Sequence, residues 1–435
     1  MNIKELTPDS DKSYEQLKLL IDVLQEFSTT LDIDKTLSHA THLVRRYLQA
    51  EGVTLFLLES DDSELVCRVC VTNSVDITGV RLRSDEGIIG RALRENKTQI
   101  VRNVAQDPDF YNKIDVSSGV KTRSILCAPL VFKGNCFGAL EAINKNSENG
   151  LFEEQDRNLL SILANTVAMA IHNARMAEDL LFQDRTKREL ALARDIQAAL
   201  LPGNSADYPV YGYNVPARMV SGDFYDHFKL DDGRICFGLG DVSGKGINAS
   251  LLMAKTISIF RCLGKRIVSP SELLTVLNSE IYENSTHGMF VTMVAGIYDP
   301  ENKSLLMVNA GHQPPLLRTK DGQVILQEIA MAPLGVMPDV EYEEYRLQLD
   351  DSELYIFTDG LTECWFKREE LLGNDGVIDM INRFSEVIPS DRLTTIVEYV
   401  TRWKREHTGY LFDDITMMLI SGNESIAYNR TNRDA

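Results

Sequence analysis

The sequence has no long hydrophobic run. No stretch of 18 apolar residues occurs among its 435 residues, and the first residues, MNIKELTPDSDKS, contain no apolar signal-peptide core. These absences argue against a membrane-spanning or secreted protein. We therefore predict a cytoplasmic protein, and its length indicates two or three domains.

Positive charge is also scarce. The 45 Lys and Arg residues are outnumbered by 64 Asp and Glu residues, which gives a formal net charge of −19. Such an excess of negative charge argues against nucleic acid or an anionic membrane as the main partner.

Cysteines are few. The seven cysteines are scattered and odd in number, which suits a reducing compartment. Cys67 and Cys70 form a C-x-x-C pair, but they lie in the strand-like segment LVCRVCV (65–71), where residues three apart point to opposite faces. We predict ordinary strand packing for them rather than metal binding or redox chemistry.

The first third of the chain alternates helical and strand-like patterns. The predicted elements are a helix over 14–48 and strands over 52–58, 64–71, 124–131 and 136–143. A hairpin turn is predicted at Gly134 and Asn135, between the last two strands. The pattern predicts an α+β domain that ends near residue 150.

Three segments of this region resemble a GAF domain. They are GIIGRA (87–92), SILCAPL (124–130) and GALEAINK (138–145). The resemblance implies a GAF sensor domain over residues 14–173, with a pocket for a small ligand between its sheet and helices.

A shorter motif concerns the ligand. Asn144, Lys145, Phe152 and Asp156 match most of the N-K…F-x-x-x-D-E pattern of cyclic-nucleotide-binding GAF domains, although Arg157 stands where that pattern ends in Glu. The resemblance implies a site for a small molecule such as a cyclic nucleotide. The alternative is structural, with Phe152 closing the core and Asp156 serving as a first-turn acid of the next helix.

A long helix is predicted to leave this domain. Residues 153–201 contain neither Pro nor Gly, and Pro-Gly at 202–203 ends the pattern. Apolar residues form a heptad-like seam that weakens at the polar stretch 183–189. The seam consists of Leu160, Leu163, Val167, Ile171, Ala174, Leu190, Leu192, Ile196 and Leu200. We predict a coiled coil that joins a parallel homodimer and acts as a switch; the alternative is a rigid spacer.

Four short acidic patches mark the second half of the chain. They are SGDFYD (221–226), GDVSGKG (240–246), FTDG (357–360) and FDDIT (412–416). Each places an Asp at or beside the end of an apolar, strand-like run. Carboxylates gathered in one pocket repel one another unless a cation lies among them, and hard divalent ions prefer such oxygen ligands. The pattern predicts metal-dependent attack of water on phosphorus.

One rival interpretation of GDVSGKG is a nucleotide phosphate loop. However, three residues rather than four separate Gly240 from Gly244, and Gly246 replaces the Ser or Thr that would hold magnesium. The glycines instead predict a sharp turn after Asp241 into a helix over 247–263.

Together with three further segments, the patches resemble the PPM-type metal-dependent Ser/Thr protein phosphatases, and especially the bacterial RsbU/sporulation-phosphatase branch. The further segments are ARDIQ (193–197), LLP (200–202) and NAGHQPP (309–315). The resemblance implies an α/β/β/α phosphatase sandwich and two divalent ions, Mn²⁺ or Mg²⁺. It also implies a phosphorylated STAS-domain anti-anti-sigma protein as the substrate, in a partner-switching pathway.

The resemblance also implies roles for individual residues. Asp223 and Asp241, with the Val242 carbonyl beside them, match ligands of the family's metal site, and Asp359 and Asp413 match those of the second ion. Bound ions of this kind activate a water for in-line attack on a phosphoserine or phosphothreonine.

The general acid is left open. Eukaryotic members have a His two residues after the Asp of the GD motif, where this chain has Ser243, and Gly222 replaces an acidic residue. His312 is a candidate substitute, and the alternatives are metal-bound water as the acid and a structural role for His312.

Three other charged residues each have two interpretations. Arg218 lies five residues before Asp223, where eukaryotic members place a phosphate-binding Arg, or it is a surface residue. Asp226 and Asp414 flank the predicted ligands and either assist the reaction or cap turns.

Two other functions are compatible with some of these features. A GAF-regulated nucleotide cyclase also uses two Asp and two metals, but its motifs occur in a different order, and a non-catalytic sensor scaffold needs no ions. The predicted division is a tail over 1–13, the GAF domain over 14–173, the helical linker over 174–202, the phosphatase domain over 203–421 and a tail over 422–435.

Overall fold

The computed structural model describes residues 33–59, 63–73, 75–147, 149–203, 209–284, 288–367, 370–407 and 413–422. The chain divides into two compact units, Met1–Asp184 and Arg185–Ala435. The predicted N-terminal tail, the helical pattern before residue 33, Phe412 and the C-terminal tail after residue 422 lie outside the described residues.

The first unit is built on a six-stranded antiparallel sheet with the strand order β3-β2-β1-β6-β5-β4. Its elements are α1 (Ile33–Leu48), β1 (Ala50–Leu58), β2 (Glu64–Thr72), β3 (Arg81–Arg83), α2 (Gly87–Glu95), β4 (Gln99–Val101), a 3-10 turn (Val104–Gln106), α3 (Lys113–Ser118), β5 (Ile125–Phe132), β6 (Asn135–Lys145) and the first part of α4 (Glu154–Leu200). The four predicted strands agree with β1, β2, β5 and β6 to within two residues.

Two details of this sheet differ from the prediction. The β5–β6 turn consists of Lys133 and Gly134, with φ angles of 51° and 83°, and Asn135 already belongs to β6. A β-bulge between β1 and β2 shifts the register, so that Cys67 and Cys70 contact the same apolar cluster instead of facing opposite sides. Both thiols are free, and burial raises the pKa of Cys67 to about 12.

One face of the sheet packs against α1 and α4. The buried residues of α4 here include Leu160, Leu163, Val167 and Ile171, each at most 1% exposed. The first half of the predicted coiled-coil seam was therefore wrong, because these side chains fill the core of their own domain. The opposite face of the sheet packs against α2 and borders a cavity.

The second unit contains two five-stranded antiparallel sheets, with the orders β14-β11-β10-β9-β8 and β13-β12-β15-β18-β7. Its elements are β7 (Val210–Val215), β8 (Phe224–Lys229), β9 (Ile235–Val242), α5 (Ile247–Gly264), α6 (Pro270–Asn284), β10 (Val291–Asp299), β11 (Ser304–Ala310), β12 (Leu316–Arg318), β13 (Val324–Leu326), β14 (Tyr345–Gln348), β15 (Glu353–Phe357), α7 (Asp359–Thr362), β16 (Trp365–Lys367), β17 (Glu370–Leu371), α8 (Gly373–Arg383), α9 (Pro389–His407) and β18 (Ile415–Ser421).

Three apolar layers show how these sheets stack. Phe237 of β9 and Met418 of β18 belong to a cluster shared by both sheets, because alternate side chains of a strand point to opposite faces. Their neighbours point outward, Cys236 toward α5 and α6, and Met417 toward α8 and α9. The predicted α/β/β/α sandwich is confirmed.

Helix α4 is continuous over 47 residues, close to the predicted 153–201. Beyond the first domain's core it exposes several apolar side chains: Met176 (50%), Leu180 (61%), Leu181 (71%) and Phe182 (72%). None of the helices in the described part of the chain has the length and apolar character needed to cross a membrane.

Candidate active site

The four predicted aspartates lie at matching strand ends. Asp223 immediately precedes β8, and Asp241 lies near the end of β9; because Phe224 pairs with Gly240, these two positions are neighbours. In the other sheet, Asp359 follows β15 and Asp413 precedes β18, whose paired residues Phe357 and Met417 bring those ends together. Two segments from each sheet thus converge at one edge of the sandwich.

Asp223 connects the two sheets. Its side chain is 2% exposed, and its Oδ2 accepts hydrogen bonds from the hydroxyls of Thr358 and Thr416, each at 2.7 Å. Burial and the nearby Asp241 and Asp414 raise the pKa of Asp223 well above its usual value. The two threonines were not singled out in the sequence, although both stand inside the acidic motifs.

The other carboxylates are electrostatically linked to one another. The carboxyl groups of Asp223 and Asp241 interact, and burial together with Asp359 raises the pKa of Asp241 to about 7. Burial and Asp413 also raise the pKa of Asp359. Such mutual repulsion is what a bound cation would relieve.

Two basic residues lie beside this group. The Nζ of Lys245 is 2.7 Å from Oδ2 of Asp413, and both side chains are partly exposed. Arg218 is exposed and close enough to Lys245 to lower the pKa of that amine, although hydrogen bonding to Asp413 raises it more strongly. The sequence did not predict a role for Lys245 in this site, although Lys245 is the Lys of the GDVSGKG motif.

The donor chemistry fits a hard divalent ion. Carboxylate oxygens are joined by the Val242 carbonyl, since a Cβ placed on Gly222 would lie 3.3 Å from that oxygen and 3.7 Å from Oδ1 of Asp241. Within the described residues, however, no group of three Asp, Glu, His or Cys side chains is arranged closely enough to form a preformed metal site. The ion pair with Lys245 already neutralises Asp413, so an ion that binds there has to displace this amine.

Gly360 allows close contact between the two segments of the second sheet that carry Asp359 and Asp413. A Cβ on Gly360 would lie 1.8 Å from the backbone oxygen of Asp414, a distance that no side chain tolerates. The Asp-Gly sequence of FTDG therefore allows the start of α7, and with it Asp359, to lie against the segment that carries Asp413.

Asp414 holds the loop before Asp223. Its Oδ1 accepts from the backbone N–H of Ala217 at 2.7 Å, and its Oδ2 accepts from the hydroxyl of Ser221 and the N–H of Gly222, each at 2.9 Å. These contacts support the turn-capping interpretation of Asp414.

Asp226 faces a different partner. Its side chain is 1% exposed, and both its oxygens accept from Arg261, at 2.7 and 2.8 Å. The same guanidinium donates to the Leu200 carbonyl, at the end of α4, at 2.6 Å. Asp226 therefore ties the strand after Asp223 to the end of the long helix, which supports a structural role.

His312 is buried between β10 and β15. The Phe357 carbonyl can only accept, so Nε2 donates to it at 3.1 Å, and Nδ1 then accepts from the Thr292 hydroxyl at 2.8 Å. Burial lowers the pKa of His312 to about 4, which leaves the ring neutral at pH 7. These contacts favour the structural alternative over a general acid.

The end of α4 also contacts the loop that carries Asp223. Gln197 is buried, unlike its helical neighbours, and its side chain bonds the backbone of Ser221 and the carbonyl of Ser250. Gln197 stands in the ARDIQ motif, but the sequence did not predict this contact.

The predicted GAF-ligand residues have protein partners. Asn144 accepts from the N–H groups of Arg123 and Ser124, Lys145 forms an ion pair with Asp156, and Phe152 is fully buried in the core beside α1 and α4. None of these four residues is among those that line the cavity on the opposite face of the sheet. Their contacts support the structural alternative.

Two families of sequences match this chain. The family described as "GAF domain" matches residues 30–172, and the family described as "Stage II sporulation protein E (SpoIIE)" matches residues 231–422. The chain carries a GAF domain followed by a SpoIIE/PPM-type phosphatase domain. The predicted recognition is thereby confirmed.

Individual relatives cover only part of this arrangement. Protein IcfG of Synechocystis sp. is 29% identical over 54% of this chain and 42% of its own length, and phosphoserine phosphatase RsbU of Bacillus subtilis is 31% identical over 42% and 56%, respectively. The chain thus spans about half the length of these curated relatives. Among solved structures, the SiaA-PP2C domain of Pseudomonas aeruginosa is similar with a TM-score of 0.49 at 18% identity, over 55% of this chain and 98% of that one.

Proposed function

We propose that the SpoIIE-type domain is a divalent-metal-dependent phosphatase for phosphoserine and phosphothreonine in proteins. The observation that carries the proposal is the convergence of Asp223, Asp241, Asp359 and Asp413 from four separate segments at one edge of two sheets. These carboxylates, with the Val242 carbonyl, would hold Mn²⁺ or Mg²⁺. When bound, such ions activate water and neutralise charge on phosphorus.

Other residues of the chain orient the metal-binding carboxylates and place positive charge beside them. Thr358 and Thr416 fix the orientation of Asp223, and the capped loop before it keeps the carboxylate at the strand end. Arg218 and Lys245 place positive charge beside the carboxylates, where they would orient the phosphate dianion of the substrate.

The test is release of phosphate from a phosphoserine peptide by the full chain. Asp241→Asn should remove most turnover, since it deletes one ligand charge, and EDTA should abolish the wild-type activity until Mn²⁺ is restored. Asp321→Asn, in an exposed turn of the same domain, is the matched control. Full activity in EDTA or in the Asp241→Asn protein would contradict the proposal.

The two other functions predict different results. A nucleotide cyclase would convert labelled nucleoside triphosphate and leave the phosphopeptide intact, and a sensor scaffold would bind no divalent ion in calorimetry. The match of residues 231–422 to the SpoIIE family supports the phosphatase over both.

For the substrate, we infer a phosphorylated STAS-domain protein of a partner-switching pathway. The similarity to phosphoserine phosphatase RsbU of Bacillus subtilis supports this inference. Dephosphorylation of purified phospho-STAS protein, at a kcat/KM well above that for a peptide of the same sequence, would be the expected outcome.

For regulation, we propose that the GAF domain senses a small ligand and acts through α4 in a homodimer. The exposed apolar side chains between Met176 and Phe182 supply a surface for the second copy. Gln197 and Arg261 join the end of the helix to the residues on either side of Asp223. A change in helix pairing could therefore alter the position of a metal ligand, and a few kcal/mol suffice to favour one of two arrangements.

A further inference from the structure

A cavity lies in the first unit between the sheet and helices α2 and α3. Its floor is the sheet face made by alternate residues of β1, β2 and β6, and its walls come from the segments around the two helices. The lining is largely apolar. The residues that matter most for its chemistry are Thr54, Cys70, Glu86, Asp115, Thr122 and Glu141.

Glu141 lies at the centre of the cavity floor. It belongs to β6, in the middle of the six-stranded sheet, and it pairs laterally with Thr54 of β1 on one side and Cys127 of β5 on the other. Cys70 follows next to Thr54 in the same row. A carboxyl group therefore stands in a row of neutral side chains, and the other sheet residues that line the cavity are uncharged.

The Glu141 carboxyl has no partner in the described part of the chain. Among the described residues, none donates a hydrogen bond to it or forms an ion pair with it. Burial and, to a smaller extent, the nearby Asp115 raise its pKa to about 7. Glu141 is partly exposed on the cavity side. A carboxyl with little water around it and no hydrogen-bond partner destabilises a fold, so its position at the bottom of a cavity calls for a partner that the described residues do not supply.

The other charges of the cavity have the same sign. Glu86 and Asp115 are acidic, and no described lining side chain is Lys, Arg or His. Asp115 is already engaged, because the N–H and hydroxyl of Thr122 donate to it at 2.8 and 2.6 Å. Helix α2 carries two cations, and neither lines the cavity. Arg91 is held by Asp107 in a bidentate pair, and Arg94 donates to the Asp85 carbonyl at 2.8 Å.

We propose that this cavity binds a small, largely apolar organic cation whose nitrogen donates to the Glu141 carboxylate, and that it rejects phosphates and carboxylates. Glu141 would neutralise the ligand's charge, and the apolar walls would bury its body. Phosphate-bearing ligands such as cyclic nucleotides would meet three carboxyl groups and no described cation. The inference rests on the proposed sensor role of the GAF domain, but not on the phosphatase activity.

The experiment compares matched probes of opposite charge on the full chain. The pairs are benzylamine with benzoate and tryptamine with indole-3-propionate, and cAMP and cGMP complete the set. Binding is followed by saturation-transfer NMR in the wild type, in Glu141→Gln and in Glu154→Gln, a control at an exposed ion pair at the start of α4. Thermal unfolding verifies that each variant is folded.

We expect saturable binding of an amine by the wild type and the control, and a loss of affinity of at least tenfold in Glu141→Gln. Benzoate, indole-3-propionate and the cyclic nucleotides should not bind. Equal binding of a carboxylate or a cyclic nucleotide would overturn the charge preference, and unchanged amine binding in folded Glu141→Gln would remove Glu141 from the site. Absence of saturable binding by either amine would also overturn the inference. None of these outcomes bears on the proposal that the second domain is a phosphatase, which is tested separately by phosphate release.

Discussion

The side chain of Gln197 and the backbone of Ser221 exchange two hydrogen bonds, each 3.0 Å long. Nε2 of Gln197 donates to the Ser221 carbonyl, and the Ser221 N–H donates to Oε1. The Ser221 hydroxyl in turn accepts from the N–H of Asp223. One amide at the end of a 47-residue helix is thus two hydrogen bonds away from a candidate metal ligand.

Gln197→Ala should lower activity without altering the fold. It removes the two hydrogen bonds with Ser221, each worth about 1 kcal/mol, and the weaker one with the Ser250 carbonyl, so we expect a fall in kcat on the order of tenfold. The divalent-ion concentration for half-maximal activity should rise, because Asp223 is less well positioned, while KM for the phosphopeptide stays the same. Gln197→Glu, which can accept but not donate, should retain part of the activity.

Asp195→Ala is the control for this prediction, since Asp195 lies in the same helical turn and is exposed. If Gln197→Ala has the wild-type kcat and the wild-type dependence on divalent ions, the contact between Gln197 and Ser221 packs the helix end against the domain but does not position Asp223.

The metal-site aspartates were predictable because each stands in a short motif at the end of a strand. Their partners were not. Asp414 and Ser221 are 193 residues apart, and the contact of Asp226 with Arg261 depends on how α5 packs against β8. No local pattern encodes such pairings, and so the sequence left the roles of both aspartates open.

Some features of the fold could likewise be predicted from the sequence, and others could not. The strands and the sandwich followed from periodicity and motif order, but the seam of α4 was misassigned between residues 160 and 171. An apolar stripe has the same spacing whether it faces a second helix or a sheet of its own domain, and only the tertiary structure distinguishes the two. The bulge that puts Cys67 and Cys70 on one face likewise leaves no mark in residue spacing.

Asp226→Asn should affect stability rather than chemistry. The substitution removes a charge-assisted bidentate pair whose carboxylate is 1% exposed, and Arg261 keeps its bond to the Leu200 carbonyl but loses its charged partner. We expect a loss of about 2 kcal/mol in the free energy of unfolding, less than for a fully buried pair because Arg261 is 35% exposed. The kcat of the folded fraction at low temperature should stay within a few-fold of the wild type.

Asp232→Asn provides the comparison for that measurement. Asp232 pairs with Arg234 at 2.6 Å, but on the surface, where such pairs contribute little. A large fall in kcat for Asp226→Asn, accompanied by a changed pH profile and unchanged stability, would instead assign Asp226 to the reaction.

Glu141 should make the GAF domain less stable at high pH. In the unfolded chain the carboxyl ionises near its ordinary pKa of 4.5, whereas in the folded domain its pKa is about 7, so the folded state binds more protons between these values. The free energy of unfolding therefore falls as pH rises through that window. The titratable side chains around Glu141 are Cys67, Cys70, Glu86, Tyr111, Asp115 and Cys127.

Glu141→Gln removes this dependence. Calorimetric unfolding should give similar GAF transitions for the two proteins at pH 4.5, and a more stable variant at pH 8, by on the order of 2 kcal/mol. The same pH dependence in wild type and variant would mean that another group is responsible. Glu154→Gln should follow the wild type.

Leu180→Asp should dissociate the proposed homodimer. Met176 and Leu180 are one helical turn apart and expose 50% and 61% of their surface, beyond the residues of α4 that fill the GAF core. Ile171 cannot serve for this test, because it is fully buried in that core and its replacement would disturb folding. A carboxylate at position 180 would place two like charges across the interface and remove apolar contact. We expect the dissociation constant to rise at least tenfold, or about 1.4 kcal/mol, by sedimentation velocity.

Leu180→Met, which keeps the side chain apolar, should remain dimeric, and the GAF unfolding transition should be the same in all three proteins. A monomeric wild type, or a dimeric Leu180→Asp protein, would leave α4 as a tether between two domains, and regulation would then have to pass through a single helix and its contact at Gln197.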